Sequence, residues 1–537
     1  MNVLGFHGGV TLGQHEPGAA LAINGRIVAA CEEERYLRIK SAHGHLPYYS
    51  VKACLDWAGL SFNDIDLVVT PGITYGDFQA RISNYLRHNF GKTPELARIH
   101  HQMAHLSAAF YGSGFEESLC LSLDATGDGA CGMLAFATKE GGVEVLDEIP
   151  TSNSLGYFYT LMTYYLGFAD GDEYKVMGLA PYGEPTVDLS RIIRPSESGW
   201  TFDWSFVRSD PPVRSPFEPL YAAKVEKLLG MPRRIPGSLM TDFYRNVARS
   251  VQETTERCLS SLVDRLQAMR PNCRNLVYAG GIALNCKANG GLFYSNKFDN
   301  IYVSPVPSDR GLAIGCAYWG AISLGDKPWP LLNVFLGSAY SNDHIRQELN
   351  ANGVRYEEIS DPASAAATLL AEGKIIGWHQ GRSEAGARAL GARSILASCS
   401  DAVMKDKVNA RIKYREEYRP FAPTVLSEEK DDYFDARDVD FPSMSFTLNT
   451  RRAKADAIRA VVHVDSTARV QTVRSSDNEL YYELLRQYRQ RTGVPVILNT
   501  SFNLKGQPIV ETPRDALMTF FGCGLDALLV GNFLIRK

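Results

Sequence analysis

The stretch Cys120-Leu-Ser-Leu-Asp-Ala-Thr-Gly-Asp-Gly-Ala-Cys-Gly-Met-Leu-Ala-Phe-Ala-Thr138 decides how the fold is read. An apolar strand (Cys120 to Leu123) runs into an acidic, glycine-bearing loop (Asp124 to Gly129). A second strand follows over Gly132 to Thr138, then a Glu-Gly-Gly turn and a third strand over Val143 to Leu146. The same series opens the chain: a strand from Val3 to Phe6, a polar Gly-rich loop, a strand from Ala19 to Ile23, the turn Asn24-Gly25 and a strand from Ile27 to Cys31. Asn-Gly between two apolar runs is a strong hairpin signal. A strand-loop-hairpin unit used twice in a mixed α/β fold is the expectation.

Gly127, Gly129 and Gly132 satisfy G-x-G-x-x-G, yet a dinucleotide site needs a helix to open after the glycines. Here Gly-Met-Leu-Ala-Phe-Ala-Thr is an apolar run after a turn and reads as a strand, so the motif is set aside. Just upstream, His101 and His105 stand four residues apart in Arg98-Ile-His-His-Gln-Met-Ala-His105. On a helix they share a face, and Asp124 at the end of the next strand can complete a mixed nitrogen and oxygen metal site. The spacing resembles the zinc-peptidase pattern His-Glu-x-x-His, but Gln102 stands where that chemistry needs a general base. Peptidase activity is therefore disfavoured.

With 537 residues, two or three domains are expected, and 45% hydrophobic residues suffice for large cores. No run of about 18 apolar residues occurs and the first residues lack a signal-peptide pattern, so a cytoplasmic protein with no membrane partner is expected. The ten cysteines are scattered without a C-x-x-C pair, which suggests reduced core residues. A net charge of -4 offers no general attraction for nucleic acid.

Apolar spacing predicts a helix from Asp242 to about Ala268. The strand beginning at Leu276 then meets Gly280-Gly281, where missing side chains let backbone N–H groups approach a ligand or simply make a turn. Asp309, at the opening of an Ala/Gly-rich helix, either caps that helix or supplies a second carboxylate to the metal. The Gly/Pro-bearing stretch from Leu324 to Asn342 marks the domain boundary, giving domains 1–335 and 345–537. The second domain opens with a helix (Pro362 to Leu370) and a strand (Lys374 to Trp378). From Arg382 to Arg419 nine Lys/Arg face five Asp/Glu, interleaved with glycines, a composition suited to a multiply charged anion or to a solvated helix face.

Duplicated strand-loop-hairpin units resemble the sugar kinase, heat-shock ATPase and actin fold. Over nearly the whole length the chain resembles the NodU and cephamycin-type O-carbamoyltransferases, the family of nodulation-factor and antibiotic enzymes that includes tobramycin carbamoyltransferase. The resemblance rests on His15-Glu-Pro-Gly-Ala-Ala-Leu-Ala with Glu32-Glu-Glu-Arg35, His101-x3-His105, Asp124-x-x-Gly-Asp128, Gly171-Asp-Glu-Tyr-Lys-Val-Met-Gly-Leu-Ala-Pro-Tyr-Gly183, Gly280-Gly-Ile-Ala-Leu-Asn285 and Asp309-x-Gly. It continues through Arg388-Ala-Leu-Gly-Ala-Arg393, Arg419-Pro-Phe-Ala-Pro423, His463-Val-Asp-Ser-Thr-Ala-Arg469 and Leu498-Asn-Thr-Ser-Phe-Asn503.

The resemblance implies an N-terminal actin-like ATPase domain (ASKHA class, a duplicated ribonuclease-H-like fold) similar to the threonylcarbamoyladenosine synthase subunit, joined to a C-terminal YrdC-like α/β domain. It implies that carbamoyl phosphate and ATP, with Mg2+, give carbamoyladenylate in the C-terminal domain, through Arg388, Arg393, Lys413, Arg419, Arg469, Asn499 and Ser501. The carbamoyl group then passes to a hydroxyl of a small natural-product or sugar acceptor in the N-terminal domain. There His101, His105, Asp124 and Asp309 would bind Fe2+ or another first-row dication, and Gly127, Asp128, Lys175, Gly280, Gly281 and Asn285 the nucleotide. His15 is the candidate for handling the acceptor proton, or is a plain loop histidine. Lys175 neutralises phosphate or pairs with Asp172 or Glu173. Two departures from the family pattern are Glu16-Pro17 after the first histidine, where Asp is usual, and Gly386-Ala-Arg388 in place of Gly-Pro-Arg. A lid is expected over Asp203 to Leu239, and a homodimer is the expectation from the frequency of symmetric assemblies. The alternatives are a tRNA-modifying threonylcarbamoyladenosine enzyme and a non-enzymatic ATP-binding protein of the actin class.

Overall fold

The computed structural model describes residues 1–9, 15–169, 171–197, 199–207 and 223–537. The chain forms two compact units. One comprises Met1–His15, Ala20–Ile27 and Phe62–Leu331; the other comprises Glu16–Ala19, Val28–Ser61 and Leu332–Lys537.

Among the described residues, twelve strands lie in the first part of the chain: β1 (Asn2–His7), β2 (Gly18–Ile23), β3 (Arg26–Glu32), β4 (Leu67–Pro71), β5 (Glu95–Ile99), β6 (Glu117–Gly127), β7 (Ala130–Thr138), β8 (Gly142–Pro150), β9 (Ile193–Ser196), β10 (Gly199–Phe202), β11 (Asn275–Ala279) and β12 (Asn300–Val303). One sheet has the order β3-β2-β1-β4-β5 and another the order β12-β11-β6-β7-β8. Read from its own first strand, each is third-second-first-fourth-fifth. In both, the first strand runs parallel to the fourth and the fourth to the fifth. The duplication expected from the sequence is thus present at the level of strand order. Strands β9 and β10 form a separate antiparallel pair.

The turn at Asn24-Gly25 has φ of 49° and 77°, as a two-residue hairpin turn requires. Gly127, Gly129 and Gly132 lead into β7, a strand and not a helix, in agreement with the rejection of a dinucleotide site. The Asp242–Met269 helix buries Val247, Val251, Leu259, Leu262 and Leu266 along one face, as its apolar spacing predicts. The His101–Ser113 helix and the Leu312–Ser323 helix cross so closely that a Cβ on Gly315 would lie 1.8 Å from the Ala104 carbonyl oxygen. Glycine at that crossing lets the two helices converge where the candidate metal ligands sit.

The second unit is built on an eight-stranded sheet. Its strands are β13 (Glu357–Glu358), β14 (Ile376–His379), β15 (Arg393–Ser398), β16 (Ala422–Leu426), β19 (Gln471–Val473), β20 (Val496–Ser501), β21 (Ala527–Val530) and β22 (Phe533–Arg536), in the order β13-β22-β21-β14-β15-β20-β16-β19. Strands β17 (Thr447–Asn449) and β18 (Thr467–Arg469) pair separately. The Pro362–Ala371 and Glu479–Thr492 helices contribute Ala363, Ala366, Leu370, Tyr481, Leu485 and Tyr488 to one core with Ile376, Trp378, Leu396 and Ile497 of the sheet. Residues 28–61 belong to this unit. Glu32 pairs with Arg35 at 3.2 Å and accepts the Gly386 N–H, while Arg35 donates to the Glu384 and Gly386 carbonyls. The segment before Arg388 is braced in this way.

All ten cysteines are buried, and none forms a disulfide. Among the described residues, no helix is long and apolar enough to cross a membrane.

Candidate functional site

The first unit brings His101, His105, Asp124 and Asp309 together from three elements, with one ligand atom of each within 4.8 Å of the others. The helix supplies both imidazoles. Strand β6 supplies Asp124 where its register with β7 breaks between Leu123 and Gly127, a bulge that turns the carboxylate out of the ladder. Asp309 opens the short turn Asp309–Gly311, whose capping position is Ser308, so Asp309 is not the cap and its carboxylate faces the histidines.

His101 and His105 approach through their Nε2 atoms at 3.2 Å, and His105 Nε2 lies 3.0 Å from Asp124 Oδ2. His101 Nε2 is 3.5 Å from Asp124 Oδ2, and both rings are 3.5 Å from Asp309 Oδ1. Metal bonds of about 2.0–2.2 Å at tetrahedral or octahedral angles place neighbouring ligand atoms roughly 3.0–3.6 Å apart. The observed spacings fit that range, and the two-nitrogen, two-oxygen set suits a first-row dication.

The electrostatics agree. Burial works against charge on His105, but hydrogen bonds and charges from Asp124 and Asp309 outweigh it and raise its pKa to about 9. Asp309 is likewise buried, yet the surrounding histidines hold it well below the usual carboxylate range. Positive charge is therefore favoured at the point where the four atoms converge. Gln102 donates to the Ala130 carbonyl of β7 at 3.2 Å, so it serves the packing of the helix.

Gly127 and Asp128, expected at the nucleotide, pack against the start of the His101–Ser113 helix. A Cβ on Gly127 would lie 2.2 Å from His101 Cγ. Asp128 Oδ2 accepts the His101 N–H at 2.8 Å, and Oδ1 accepts the Thr74 N–H and hydroxyl at 3.0 and 2.7 Å. Burial raises the Asp128 pKa, but these bonds outweigh burial and hold it below the ordinary range.

Asn285 caps the Cys286–Tyr294 helix and exchanges two 3.0 Å amide bonds with Gln252. A Cβ on Gly280 would lie 2.1 Å from the Leu123 carbonyl oxygen, and one on Gly281 2.8 Å from Asp124 Oδ1. Both glycines therefore make room for β6 and its carboxylate. Lys175 pairs with Asp172 at 2.8 Å, while Glu173 accepts from the Thr160 hydroxyl. The charge of His15 reaches Asp309 and helps lower its pKa. Of the expected lid, residues 208–222 lie outside the described residues.

In the second unit Lys413 is buried, at 5% exposure, and donates to the Ser501 and Asn503 carbonyls, the Ser501 hydroxyl and Asn503 Oδ1. Burial, reinforced by Arg415 and Arg419, lowers its pKa well below the ordinary lysine value. Among the described residues no carboxylate forms an ion pair with it.

Strand β20 presents Asn499 and Ser501 two residues apart, hence on one face. The Asn499 amide donates to the Ala389 carbonyl, the Thr424 hydroxyl and Gln471 Oε1, while its own Oδ1 is buried without a hydrogen-bond partner. Arg388, half-buried, precedes Ala389, and Arg469, half-buried, stands two residues before Gln471. Arg419 lies 3.7 Å from Glu416.

Arg393 needs a correction. It is fully buried, and its guanidinium donates to the carbonyls of Ser338, Gln380, Gly381, Ala392 and Glu511, so it holds the surrounding loops instead of facing an anion. Sequence reasoning missed roles for Thr74, Asn503 and Lys40. The exposed Lys40 belongs to residues 28–61, and its charge adds to the lowering of Lys413.

Comparison with known proteins assigns the class. The family model for the carbamoyltransferase N-terminus matches residues 74–318 and that for the carbamoyltransferase C-terminus matches residues 367–537. Nodulation protein NolNO of Sinorhizobium fredii (strain NBRC 101917 / NGR234) is 38% identical over 97% of this chain and 79% of its own length. Nodulation protein NolO of Bradyrhizobium diazoefficiens is 39% identical, covering 82% of this chain and 79% of that one. Nodulation protein U of Rhizobium tropici is 40% identical over 44% of this chain and 40% of its own. The chain belongs to the carbamoyltransferase family.

Proposed function

We propose that this carbamoyltransferase is ATP-dependent and divides its work between its two parts. Carbamoyl phosphate loses phosphate by hydrolysis, and the resulting carbamate displaces pyrophosphate from ATP to give carbamoyladenylate in a YrdC-like C-terminal domain (345–537). The carbamoyl group then moves to an acceptor hydroxyl in the actin-like N-terminal domain (1–335), with AMP as leaving group. An adenylate suits this division because its nucleotide can stay bound through contacts remote from the reacting carbon.

The observation that carries the reading is Lys413, a buried lysine held by neutral oxygens, with the field of Arg415 and Arg419 around it. Such a site favours an incoming anion, because a bound phosphate relieves the mutual repulsion of the cations. Lys413 and Arg419, with Arg388 and Arg469, neutralise the phosphate groups. Asn499 Oδ1 accepts from the carbamoyl amide, satisfying an acceptor that is otherwise buried and unpaired. Ser501 hydrogen-bonds the carbonyl, and Arg393 supports the loops from beneath. Mg2+ accompanies ATP.

In the N-terminal domain His101, His105, Asp124 and Asp309 would hold Fe2+ or another first-row dication, which supplies Lewis-acid polarisation of the carbamoyl carbonyl. His15 takes the proton of the acceptor hydroxyl. Backbone N–H groups around Gly281 are the remaining candidates for the nucleotide, since Asn285, Asp128, Lys175 and the Gly280 N–H have partners of their own. The similarity to nodulation proteins supports a saccharide-type acceptor.

The test is incubation with ATP, Mg2+ and carbamoyl phosphate without acceptor, following AMP and pyrophosphate. Product that requires carbamoyl phosphate and disappears in Lys413→Ala supports the reading. Wild-type protein that binds ATP yet never responds to carbamoyl phosphate contradicts it.

A further inference from the structure

We propose that His7 is a positioning residue of the metal centre, steadying the outer oxygen of Asp309 while tying the backbone of His15 to the same site. His7 ends β1 and is 2% exposed. Its Nε2 lies 3.0 Å from the carbonyl oxygen of His15 and 3.8 Å from Asp309 Oδ2. A carbonyl can only accept, so the proton sits on Nε2. The other ring nitrogen, Nδ1, is buried with no hydrogen-bond partner among the described residues and leaves that tautomer unopposed.

Asp309 is thereby divided between two tasks. Its Oδ1 faces His101 and His105, while Oδ2 lies 3.8 Å from His7 Nε2, an electrostatic contact longer than a hydrogen bond, since the one Nε2–H is given to the His15 carbonyl. Polar groups around the second oxygen of a metal-binding carboxylate orient it, and their loss weakens metal binding. His7 is not itself a fifth ligand in this arrangement, since the converging set consists of the other four side chains. A single nitrogen thus couples the orientation of one metal ligand to the backbone that carries His15. Nothing in the spacing of His7 announced this, because the contact depends on β1 ending beside the Asp309 turn.

The inference rests on the reading that the four-residue cluster binds a dication, and the experiment separates the two. Co2+ is titrated into wild-type, His7→Phe and His7→Gln protein against a chromophoric chelator, with the visible Co2+ absorption spectrum and the melting temperature of the metal-free protein recorded for each. Phe keeps the ring bulk without a donor; Gln returns an N–H near the position of Nε2. Expected are a loss of Co2+ affinity of about 10–100-fold with an altered spectrum in His7→Phe, and affinity within a few-fold of wild type in His7→Gln. Equal Co2+ affinity and spectrum in His7→Phe and wild type overturns the proposal. Equal loss in Phe and Gln variants also overturns it, because the ring shape and not the donor then matters. Wild-type protein that binds no Co2+ overturns the metal reading itself and this inference with it. Should His7→Phe fail to fold, His7→Leu is read in its place by the same criteria.

Discussion

Asp128 Oδ2 accepts the backbone N–H of His101 at 2.8 Å, so the residue that opens the metal helix is held by a carboxylate from the turn after β6. The first N–H groups of a helix have no partner within it, and an anion there is favoured twice, by hydrogen bonding and by the helix dipole. The end of β6 just before that turn places Asp124 in the cluster, and one short segment therefore both supplies a candidate ligand and aims another.

Asp128→Asn should weaken this clamp. An asparagine must point its NH2 group at one of the two donors, Thr74 or His101, and losing a hydrogen bond to a charged group costs about 1.5–3 kcal/mol. We expect a lower melting temperature and weaker dication binding, measured by calorimetry with and without metal. Unchanged values for both would show that the clamp does not position His101.

The pH dependence of that clamp has a definite sign. Asp128 has a depressed pKa in the folded chain, so its contribution is present above the pKa of an unfolded aspartate and is lost as the pH falls through the lower folded value. Acid unfolding of wild type should therefore show a steeper loss than that of Asp128→Asn. Parallel acid-unfolding curves would contradict this.

Much of this arrangement was legible beforehand and some was not. The hairpin at Asn24-Gly25, the helix over His101 to His105 and the Asp242–Met269 helix follow from local patterns that tertiary contacts do not override. The four candidate metal residues are brought together as expected. The family resemblance implies Gly127, Asp128, Gly280 and Asn285 at a nucleotide. In the structure their partners are His101, Thr74, Leu123 and Gln252, residues 26 to 157 positions away, which no local spacing displays. Asp128-Gly129 did carry a second signal, since Asp-Gly is a hairpin dipeptide and both residues have positive φ, 52° and 89°. Arg393 illustrates the reverse error. An arginine among glycines reads as an anion ligand, but a strand-initial arginine can also satisfy loop carbonyls, and burial decides between them.

Asn285→Ala should separate a structural role from a ligand role. Removing its amide takes one hydrogen bond from each end of Gln252, which keeps Glu256 and Tyr159 as partners, at a cost of about 1–3 kcal/mol, and also removes the cap of the Cys286–Tyr294 helix. We expect reduced stability in denaturant unfolding with ATP affinity little changed. A large loss of ATP affinity at unaltered stability would return Asn285 to the nucleotide site.

Binding of carbamoyl phosphate should take up protons. Lys413 has a depressed pKa in the free chain, and a phosphate beside it favours the charged ammonium, so affinity should fall as the pH rises. Calorimetric titration in buffers of different ionisation enthalpy reads the uptake directly, and Lys413→Met should abolish it. Proton release, or uptake that persists in Lys413→Met, would count against Lys413 as the anion partner.

The most direct test of the account is carbamoyl-phosphate-dependent exchange of labelled pyrophosphate into ATP, measured beside acceptor carbamoylation in Lys413→Ala and Asp124→Asn. The account predicts that Lys413→Ala loses both activities, whereas Asp124→Asn keeps the exchange and loses transfer to the acceptor. If Asp124→Asn abolishes exchange while Lys413→Ala retains it, the proposed assignment of activation to the C-terminal domain and transfer to the N-terminal domain is wrong.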